Sequence, residues 1–147
     1  MCTAIIQVQN LRKYFRKTGT LIQTLRSKPE FIKAVDDVTF EIARGEVLGL
    51  VGESGSGKTT LGRAVLRLEE PESGRIYFEG QDFTAIKDRS VLKDFRRKMQ
   101  MIFQDPFDSI NPRLKVKHVV EEPLRVHKIG ANKTERIQLI KRTLEEV

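Results

Sequence analysis

Eight consecutive residues combine three glycines, two serines, a lysine and a threonine at a spacing that suits phosphate chemistry. Glycine lets the backbone turn tightly, so that successive N–H groups point at phosphate oxygens, and a helix that begins at the lysine adds a favourable dipole. At this spacing the Lys58 amine reaches the β- and γ-phosphates of a nucleotide, and the Thr59 hydroxyl is a ligand for Mg²⁺. The pattern G-x-x-x-x-G-K-T predicts a nucleotide phosphate loop formed by Gly52, Glu53, Ser54, Gly55, Ser56, Gly57, Lys58 and Thr59.

The elements that flank this loop have the character that its geometry requires. Residues 47–51 are apolar and predict a buried parallel strand that leads into the loop. Residues 60–68 predict an amphipathic helix, with one apolar face made of Leu61, Ala64, Val65 and Leu68. A strand, the loop and a helix in this order would hold the loop at the end of a strand.

Composition limits the class of protein. The chain has 147 residues, of which 39% are hydrophobic and 32% charged, and this balance suits one globular domain with its own core. Its apolar runs fall short of the about 20 residues that span a bilayer, and the first nine residues lack the pattern of a signal peptide. Cys2 is the only cysteine, so an internal disulfide is excluded. These features predict a cytoplasmic protein.

The formal net charge of +7 is concentrated near the N-terminus. Residues 1–33 contain seven Lys or Arg and the single acid Glu30, whereas residues 34–147 have a net charge of only +1. Such a segment suits an anionic lipid surface or a polyphosphate, or it is a solvated loop without a partner. Because no basic and aromatic recognition motif accompanies the charge, we expect no nucleic-acid partner.

The rest of the pattern predicts alternating strands and helices. Residues 16–33 are expected to form a long hairpin or loop, and Asp36-Asp37 a turn or bulge. Ser90 is the expected N-cap of its helix, and Pro123 is expected to start or kink a helix rather than lie in its middle. The predicted strands are residues 5–10, 34–42, 75–79 and 99–103, and the predicted helices are 90–97 and 117–128, with a turn at 80–82.

A last helix follows Asn132, which together with Glu135 resembles a capping box. Its apolar stripe consists of Ile137, Ile140, Leu144 and Val147. The stripe still runs at Val147, and no Gly or Pro ends it. We interpret this as a chain cut inside an element, with a naturally short protein whose last helix frays as the alternative.

Four stretches together resemble the N-terminal half of an ABC-transporter ATPase subunit. They are residues 34–40 (AVDDVTF), 45–46 (GE), 52–60 (GESGSGKTT) and 101–106 (MIFQDP). The resemblance implies an α/β P-loop NTPase fold of the ABC type, with an N-terminal antiparallel β-subdomain, part of a RecA-like core and the start of a helical subdomain. The implied boundaries are 1–51 for the β-subdomain and the strand before the loop, 52–104 for the nucleotide-binding core and 105–147 for the helical start.

The resemblance also implies ATP and Mg²⁺ as cofactors and assigns three further site residues. Gln104 matches the glutamine of the family's Q-loop, whose amide ligates Mg²⁺ or holds a water while the loop senses the membrane partner. Phe15 takes the position of an aromatic residue that stacks on adenine, with Tyr14 as the alternative, and such stacking contributes about 1 kcal/mol. Thr60 resembles the residue that holds the α-phosphate.

The partners implied by the resemblance are a second ABC ATPase subunit in a homo- or heterodimer, two transmembrane permease subunits and, indirectly, a substrate-binding protein. The subunit would lie peripherally on the inner face of the cell membrane. Residues 52–58 and 104–113, with the long excursion before Ala34, are similar to the oligopeptide and dipeptide importer branch, which also includes nickel and glutathione importers. A peptide cargo is therefore implied at the level of the family.

Three motifs of the family do not occur in the 147 residues: the L-S-G-G-Q signature, the apolar strand that ends in Asp-Glu, and the switch His. We expect the catalytic Glu and the switch His beyond the chain end, and we expect His118 and His127 to be surface residues. The sequence therefore predicts a chain that binds ATP but does not hydrolyse it, with 47–51 exposed as an apolar edge that favours aggregation. For the protein as a whole, the resemblance implies an ATP-binding subunit that couples ATP binding and hydrolysis to the transport of oligo- or dipeptides across the cytoplasmic membrane. The alternatives to this function are a truncated non-catalytic nucleotide-binding module, or another P-loop enzyme such as a small-molecule kinase.

Overall fold

The computed structural model describes residues 4–17, 30–104 and 110–147. It divides into two compact units, Met1–Lys87 and Asp88–Val147. The first unit contains the strands β1 (Ala4–Arg16), β2 (Phe31–Ala43), β3 (Ser73–Phe78) and β4 (Gln81–Asp82) and the helix α1 (Lys58–Val65). The second unit contains the helices α2 (Arg89–Lys98), α3 (Val116–Val126) and α4 (Lys133–Glu145).

The strands of the first unit form an antiparallel sheet in the order β2-β1-β3-β4. β1 and β2 pair from Ala4 opposite Ala43 to Arg16 opposite Phe31, so both strands are longer than predicted. The N–H of Lys17 also donates to the carbonyl of Glu30 at 2.9 Å. The paired strands therefore take in Arg16 and residues 31–33, which the prediction placed in the long hairpin or loop. Residues 18–29 lie outside the described part of the chain.

Two irregularities interrupt β2, and one of them lies where a turn or bulge was predicted, at Asp36-Asp37. Arg12 alone on β1 lies opposite both Asp36 and Asp37, because Leu11 pairs with Val38 and Lys13 with Val35. One step further, Ala34 has no partner between the pairs Lys13–Val35 and Tyr14–Lys33. Asp37 accordingly has a left-handed backbone, with φ of 59°. The bulge predicted at Asp36-Asp37 is confirmed, and bulges of this kind bend and re-aim a strand.

The core of the first unit lies between α1 and the sheet. Three of the four predicted core positions of the helix, Leu61, Ala64 and Val65, are buried, and Leu68 is half exposed. The helix ends at Val65 because Arg67 takes a left-handed conformation with φ of 50°. The other buried apolar residues of this unit come from the strands and the loop after β4, and they are Val8, Leu11, Val35, Ile76, Phe78 and Phe83.

The buried strand predicted at 47–51 is wrong as a description of this structure. These residues do not form a strand, and Val47 and Val51 are 94% and 95% exposed. A strand needs a hydrogen-bonded neighbour, and the described sheet consists only of β1 to β4. The exposure itself agrees with the predicted apolar edge. The strand predicted at 99–103 is also wrong, since this stretch has no strand assignment and Ile102 is 94% exposed.

The second unit corrects two predicted helix details. The N-cap of α2 is Asp88, whose carboxylate accepts from the N–H of Ser90 at 2.7 Å, so Ser90 lies inside the helix. Pro123 lies inside α3 without ending it, because its carbonyl accepts from the N–H of His127 at 2.9 Å and the helical turn continues. None of the helices in the described ranges has both the length and the apolar composition of a membrane span.

The capping box of α4 is confirmed, with a small displacement. The Asn132 side chain accepts from the N–H of Glu135 at 2.9 Å, and the Glu135 carboxylate accepts from the N–H of Ala131 at 2.7 Å. The reciprocal bond therefore reaches one residue before the cap. Of the predicted apolar stripe, Ile140 is buried, whereas Ile137, Leu144 and Val147 are exposed.

Candidate functional site

The predicted phosphate loop is a tight turn that leads directly into α1. The N–H of Ser56 donates to the carbonyl of Glu53 at 3.2 Å, which closes the turn. Gly55 and Gly57 have φ of +81° and +92°, a conformation that residues with a Cβ atom rarely adopt. A Cβ atom on Gly52 would lie 2.8 Å from the Ser56 hydroxyl oxygen. Backbone conformation thus requires glycine at Gly55 and Gly57, whereas at Gly52 the near atom is a serine hydroxyl that can rotate away.

The Lys58 amine lies inside the curve of this loop. Its Nζ atom donates to the carbonyl oxygens of Gly52 at 2.7 Å and Glu53 at 2.6 Å and lies 3.2 Å from the Ser56 hydroxyl. An ammonium group has three donors, and here each has an acceptor from the loop. The positive charge is therefore fixed at the centre of the loop, where it would meet the phosphates of a bound nucleotide.

The N-terminus of α1 supplies backbone donors next to this amine. The N-cap is Gly57, which has no side chain to accept a hydrogen bond from the first turn, and that turn contains no acidic residue. The first N–H groups of a helix lack intrahelical partners and attract anions. Thr59 and Thr60 lie in this first turn, Thr59 with an exposed side chain and Thr60 half buried. The donor set fits a phosphate group, and the Thr59 hydroxyl is available to a hydrated cation bound to it.

The loop rests against the backbone of β2. A Cβ atom on Gly57 would lie 2.0 Å from the carbonyl oxygen of Ala34, so only glycine fits there. A cavity of about 410 Å³ opens beside this contact, and its walls include Lys33, Asp36 and Lys58 together with apolar residues. Sequence reasoning missed the contribution of Ala34, because no local signal links residues so far apart in the chain.

The two candidates for an adenine-stacking residue differ in their surroundings. Phe15 is 37% exposed, and the Lys13 amine lies 5.1 Å from the centre of its ring. Tyr14, on the opposite face of β1, donates its hydroxyl to Asp36, and the Lys33 amine lies 5.6 Å from its ring centre. Each ring thus has an amine near its face, but only Tyr14 is also held at its edge by a hydrogen bond, whereas Phe15 has no hydroxyl and remains partly exposed.

The residues predicted to hold the metal belong to different units. Thr59 lies in the first unit, and Gln104 lies in the second as an exposed residue just before residues 105–109, which are outside the described part. Over the described ranges no cluster of three or more His, Cys, Asp or Glu is arranged to hold a metal ion. Neither His118, which lies beside Glu121 and Glu122 on a 660 Å³ cavity of the second unit, nor His127 belongs to the loop.

The chain is similar to known proteins over most or all of its length. The model of the ABC transporter family matches residues 35–147. The chain is 43% identical over its whole length to the oligopeptide transport ATP-binding protein OppF of Bacillus subtilis (strain 168) and covers 45% of that protein. It is 46% identical to OppF of Streptococcus mutans serotype c, over 90% of the chain and 40% of the relative.

Solved structures of ABC transporter cassettes are similar to this chain in fold. The dimeric bacterial ABC transporter cassette MJ0796 has a TM-score of 0.71 and 30% identity, over 95% of this chain and 54% of that one. A dimeric post-hydrolysis state of the same cassette, bound to ADP and Pi, has a TM-score of 0.70 and 29% identity, with the same coverage. The chain spans less than half the length of the curated relatives it matches. With more than half of its residues matched by the family and with the fold of these cassettes, the chain belongs to the ABC transporter family.

Proposed function

We propose that this chain is the nucleotide-binding segment of an ABC-transporter ATPase subunit and that it binds MgATP. The observation that carries the proposal is the Lys58 amine, fixed by three loop acceptors beside the uncapped N-terminus of α1. Charge, donors and backbone shape all favour a polyphosphate at this place. An anion of this kind would take over hydrogen bonds that the amine now makes to Gly52 and Glu53.

Each site residue has a distinct role in this proposal. Backbone N–H groups of residues 52–57 surround the β-phosphate, Lys58 neutralises the β- and γ-phosphates, and Thr60 holds the α-phosphate. Phe15 stacks on the adenine, using its exposed ring. Mg²⁺, when bound, neutralises phosphate charge and orients the γ-phosphate, and Thr59 and Gln104 are its proposed ligands.

We further propose that the whole protein couples ATP binding and hydrolysis to the transport of oligopeptides or dipeptides across the cytoplasmic membrane. Its relatives named as oligopeptide transport proteins support the cargo, and the dimeric cassettes support a second ATPase subunit. Two permease subunits and a substrate-binding protein complete the proposed assembly, with this subunit on the inner face of the membrane. Within the chain we propose that residues 1–51, 52–104 and 105–147 belong to the β-subdomain, the nucleotide-binding core and the helical subdomain.

Binding and hydrolysis are separable in this proposal. Phosphoryl transfer requires an oriented water, an acceptor for its proton and charge stabilisation around the γ-phosphate. The 147 residues contain the loop and Lys58 but not the signature, Asp-Glu strand or switch His of the family. We therefore expect the 147-residue chain to hydrolyse ATP at the background rate, and turnover like that of an intact subunit would contradict this.

The first experiment is to sequence the DNA beyond the Val147 codon, which defines the complete gene product. An L-S-G-G-Q followed by an Asp-Glu strand and a His would support the ATPase, whereas a stop codon with nothing recognisable beyond it would favour a non-catalytic module. MgATP binding to the complete gene product is then measured by calorimetry. Lys58→Ala should weaken binding by about tenfold or more, since a charged hydrogen-bonded group contributes about 1.5–3 kcal/mol. Lys141→Ala, on the exposed face of α4, is the matched control.

A further inference from the structure

The segment of β2 that touches the phosphate loop is irregular on both sides. We call residues 34–37 the β2 bulge. Ala34 is left unpaired at one end, and Asp36 and Asp37 share one opposing residue at the other, with buried Val35 between them. A bulged segment has lost ladder hydrogen bonds, so its backbone position depends on other contacts.

Asp36, within the bulge, supplies such contacts. One carboxylate oxygen accepts the Tyr14 hydroxyl, and the other accepts the Lys33 amine at 3.0 Å. Both partners flank Ala34, since Lys33 precedes it on β2 and Tyr14 is the residue that pairs with Lys33. The hydrogen bond from Tyr14, followed by that from Lys33, keeps the pKa of Asp36 below its usual value, so the carboxylate is ionised and accepts from both.

The β2 bulge also contacts the phosphate loop. The Ala34 carbonyl leaves no room for a side chain at Gly57, the N-cap of α1. Lys33 and Asp36 also line the cavity whose wall includes Gly57 and Lys58. A displacement of the bulge would therefore move the support behind the last glycine of the loop and behind the first N–H groups of α1.

We propose that Asp36 is a positioning residue for the phosphate loop, which fixes the β2 bulge through Tyr14 and Lys33 so that Ala34 supports Gly57. The inference rests on the proposed function, since it concerns phosphate affinity. The side chains of Asp36 and Lys33 are about half exposed, and exposed pairs contribute little to global stability. We therefore expect the contacts of Asp36 with Tyr14 and Lys33 to affect the phosphate affinity of the folded protein more than its melting temperature.

The test measures calorimetric Kd values of the complete gene product for MgATP and for magnesium tripolyphosphate. Asp36→Asn and Tyr14→Phe should each weaken both ligands by about fivefold, the factor that corresponds to one hydrogen bond. Tripolyphosphate lacks a base and a ribose, so it reports on the loop alone. Tyr77→Phe is the matched control, because it removes the only other tyrosine hydroxyl, which on β3 lies 3.3 Å from an Arg75 nitrogen. The melting temperature of each variant is measured alongside.

The outcomes separate the two proposals. Equal weakening of both ligands in Tyr14→Phe and Asp36→Asn, with the Tyr77→Phe control unchanged, supports the positioning role. Weakening of MgATP alone would overturn it, because the effect would then act through the base, and so would unchanged Kd values in both variants. If Asp36→Asn fails to fold, Tyr14→Phe decides. Failure of the unmodified protein to bind either ligand overturns the proposed function as well.

Discussion

The carbonyl oxygen of Ala34 would lie 2.0 Å from a Cβ atom on Gly57, which makes this glycine the point where the β-sheet meets the phosphate loop. Its φ of +92° imposes a second requirement for glycine. An alanine would have to displace either β2, which carries the buried Val35, or the N-terminus of α1, which carries the buried Leu61.

The first prediction concerns Gly57→Ala. A left-handed alanine costs about 1–2 kcal/mol, and the clash with backbone adds to this, so we expect a loss of about 3 kcal/mol or more. Gly80→Ala is the matched control, since φ there is +76° but a Cβ atom would meet no described atom within 4 Å. Denaturant titration of both variants checks the difference. An equal loss of unfolding free energy in both variants would show that the close approach of Ala34 to Gly57 does not affect stability.

The second prediction concerns Lys58→Arg, which keeps the charge and changes its shape. The Lys58 amine fits between three acceptors at 2.6 to 3.2 Å, and a planar guanidinium with a fixed fork cannot reproduce that arrangement. We expect MgATP affinity to fall by about tenfold despite the retained charge. Lys141→Arg, on exposed α4, serves as the control for the substitution itself. An unaltered Kd in Lys58→Arg would mean that charge alone is required.

The phosphate loop was predictable from the sequence because its chemistry lies in eight adjacent residues. The turn, the glycine conformations and the start of α1 are local consequences of those residues. Ala34 was not predictable, since its contact with Gly57 depends on how a bulged strand bends behind the loop. Contacts between distant segments carry no periodic signal along the chain.

The errors in the predicted secondary structure have related causes. The apolar stretches 47–51 and 99–103 have the composition of strands, yet a strand exists only where a neighbour accepts its hydrogen bonds. β1 and β2 were predicted too short, because residues 11–16 and 31–33 do not alternate between apolar and polar side chains and are held by cross-strand pairing instead. At α2, Asp88 and Ser90 are both good caps, and the sequence alone could not choose between them.

The third prediction concerns Arg67, which joins the end of α1 to the loop after β4. Its guanidinium donates to the carbonyls of Phe83 at 2.6 Å and Ile86 at 3.0 Å and pairs with Glu70 at 2.9 Å. Its side chain is 10% exposed, so removing it leaves acceptors unpaired in a poorly hydrated place. We expect Arg67→Met to cost about 2–3 kcal/mol of unfolding free energy.

The matched control for Arg67→Met is Arg142→Met. Arg142 also pairs with a glutamate at 2.9 Å, but its side chain is 79% exposed on α4. An exposed pair of this kind contributes about 0–1 kcal/mol. Chemical denaturation followed by circular dichroism compares the two variants, and a loss at Arg67 no larger than that at Arg142 would contradict the assignment.

The fourth prediction is a pH dependence that originates at Asp82. The Thr84 hydroxyl, together with the N–H groups of Ala85 and Thr84, keeps the pKa of the Asp82 carboxyl below its usual 3.8. A pKa that folding lowers contributes stability above the unfolded value and loses it as the pH falls through the folded value. Below about pH 4, the free energy of unfolding should therefore fall less steeply with decreasing pH in Asp82→Asn than in the unmodified chain. Glu145→Gln, in an exposed ion pair, is the control, and identical pH profiles would contradict this role of Asp82.

The last prediction concerns the apolar segment 47–51. Val47 and Val51 are almost fully exposed, and a run of β-branched and apolar residues without a partner strand favours pairing between chains. We expect the 147-residue chain to aggregate, and we expect Val47→Lys to reduce this aggregation because a charge interrupts such pairing. Its melting temperature should hardly change, since a side chain that is 94% exposed has little buried surface to lose.

The control for Val47→Lys is Val147→Lys. It makes the same substitution at a similarly exposed residue that follows α4. It adds the same charge to a chain with a net charge of +7, so it accounts for any general gain in solubility. Light scattering at increasing protein concentration compares the three proteins. If Val147→Lys suppresses aggregation as well as Val47→Lys, net charge is the cause. If only Val47→Lys suppresses it, chains associate through residues 47–51, and a strand paired with this segment would protect the protein from aggregation.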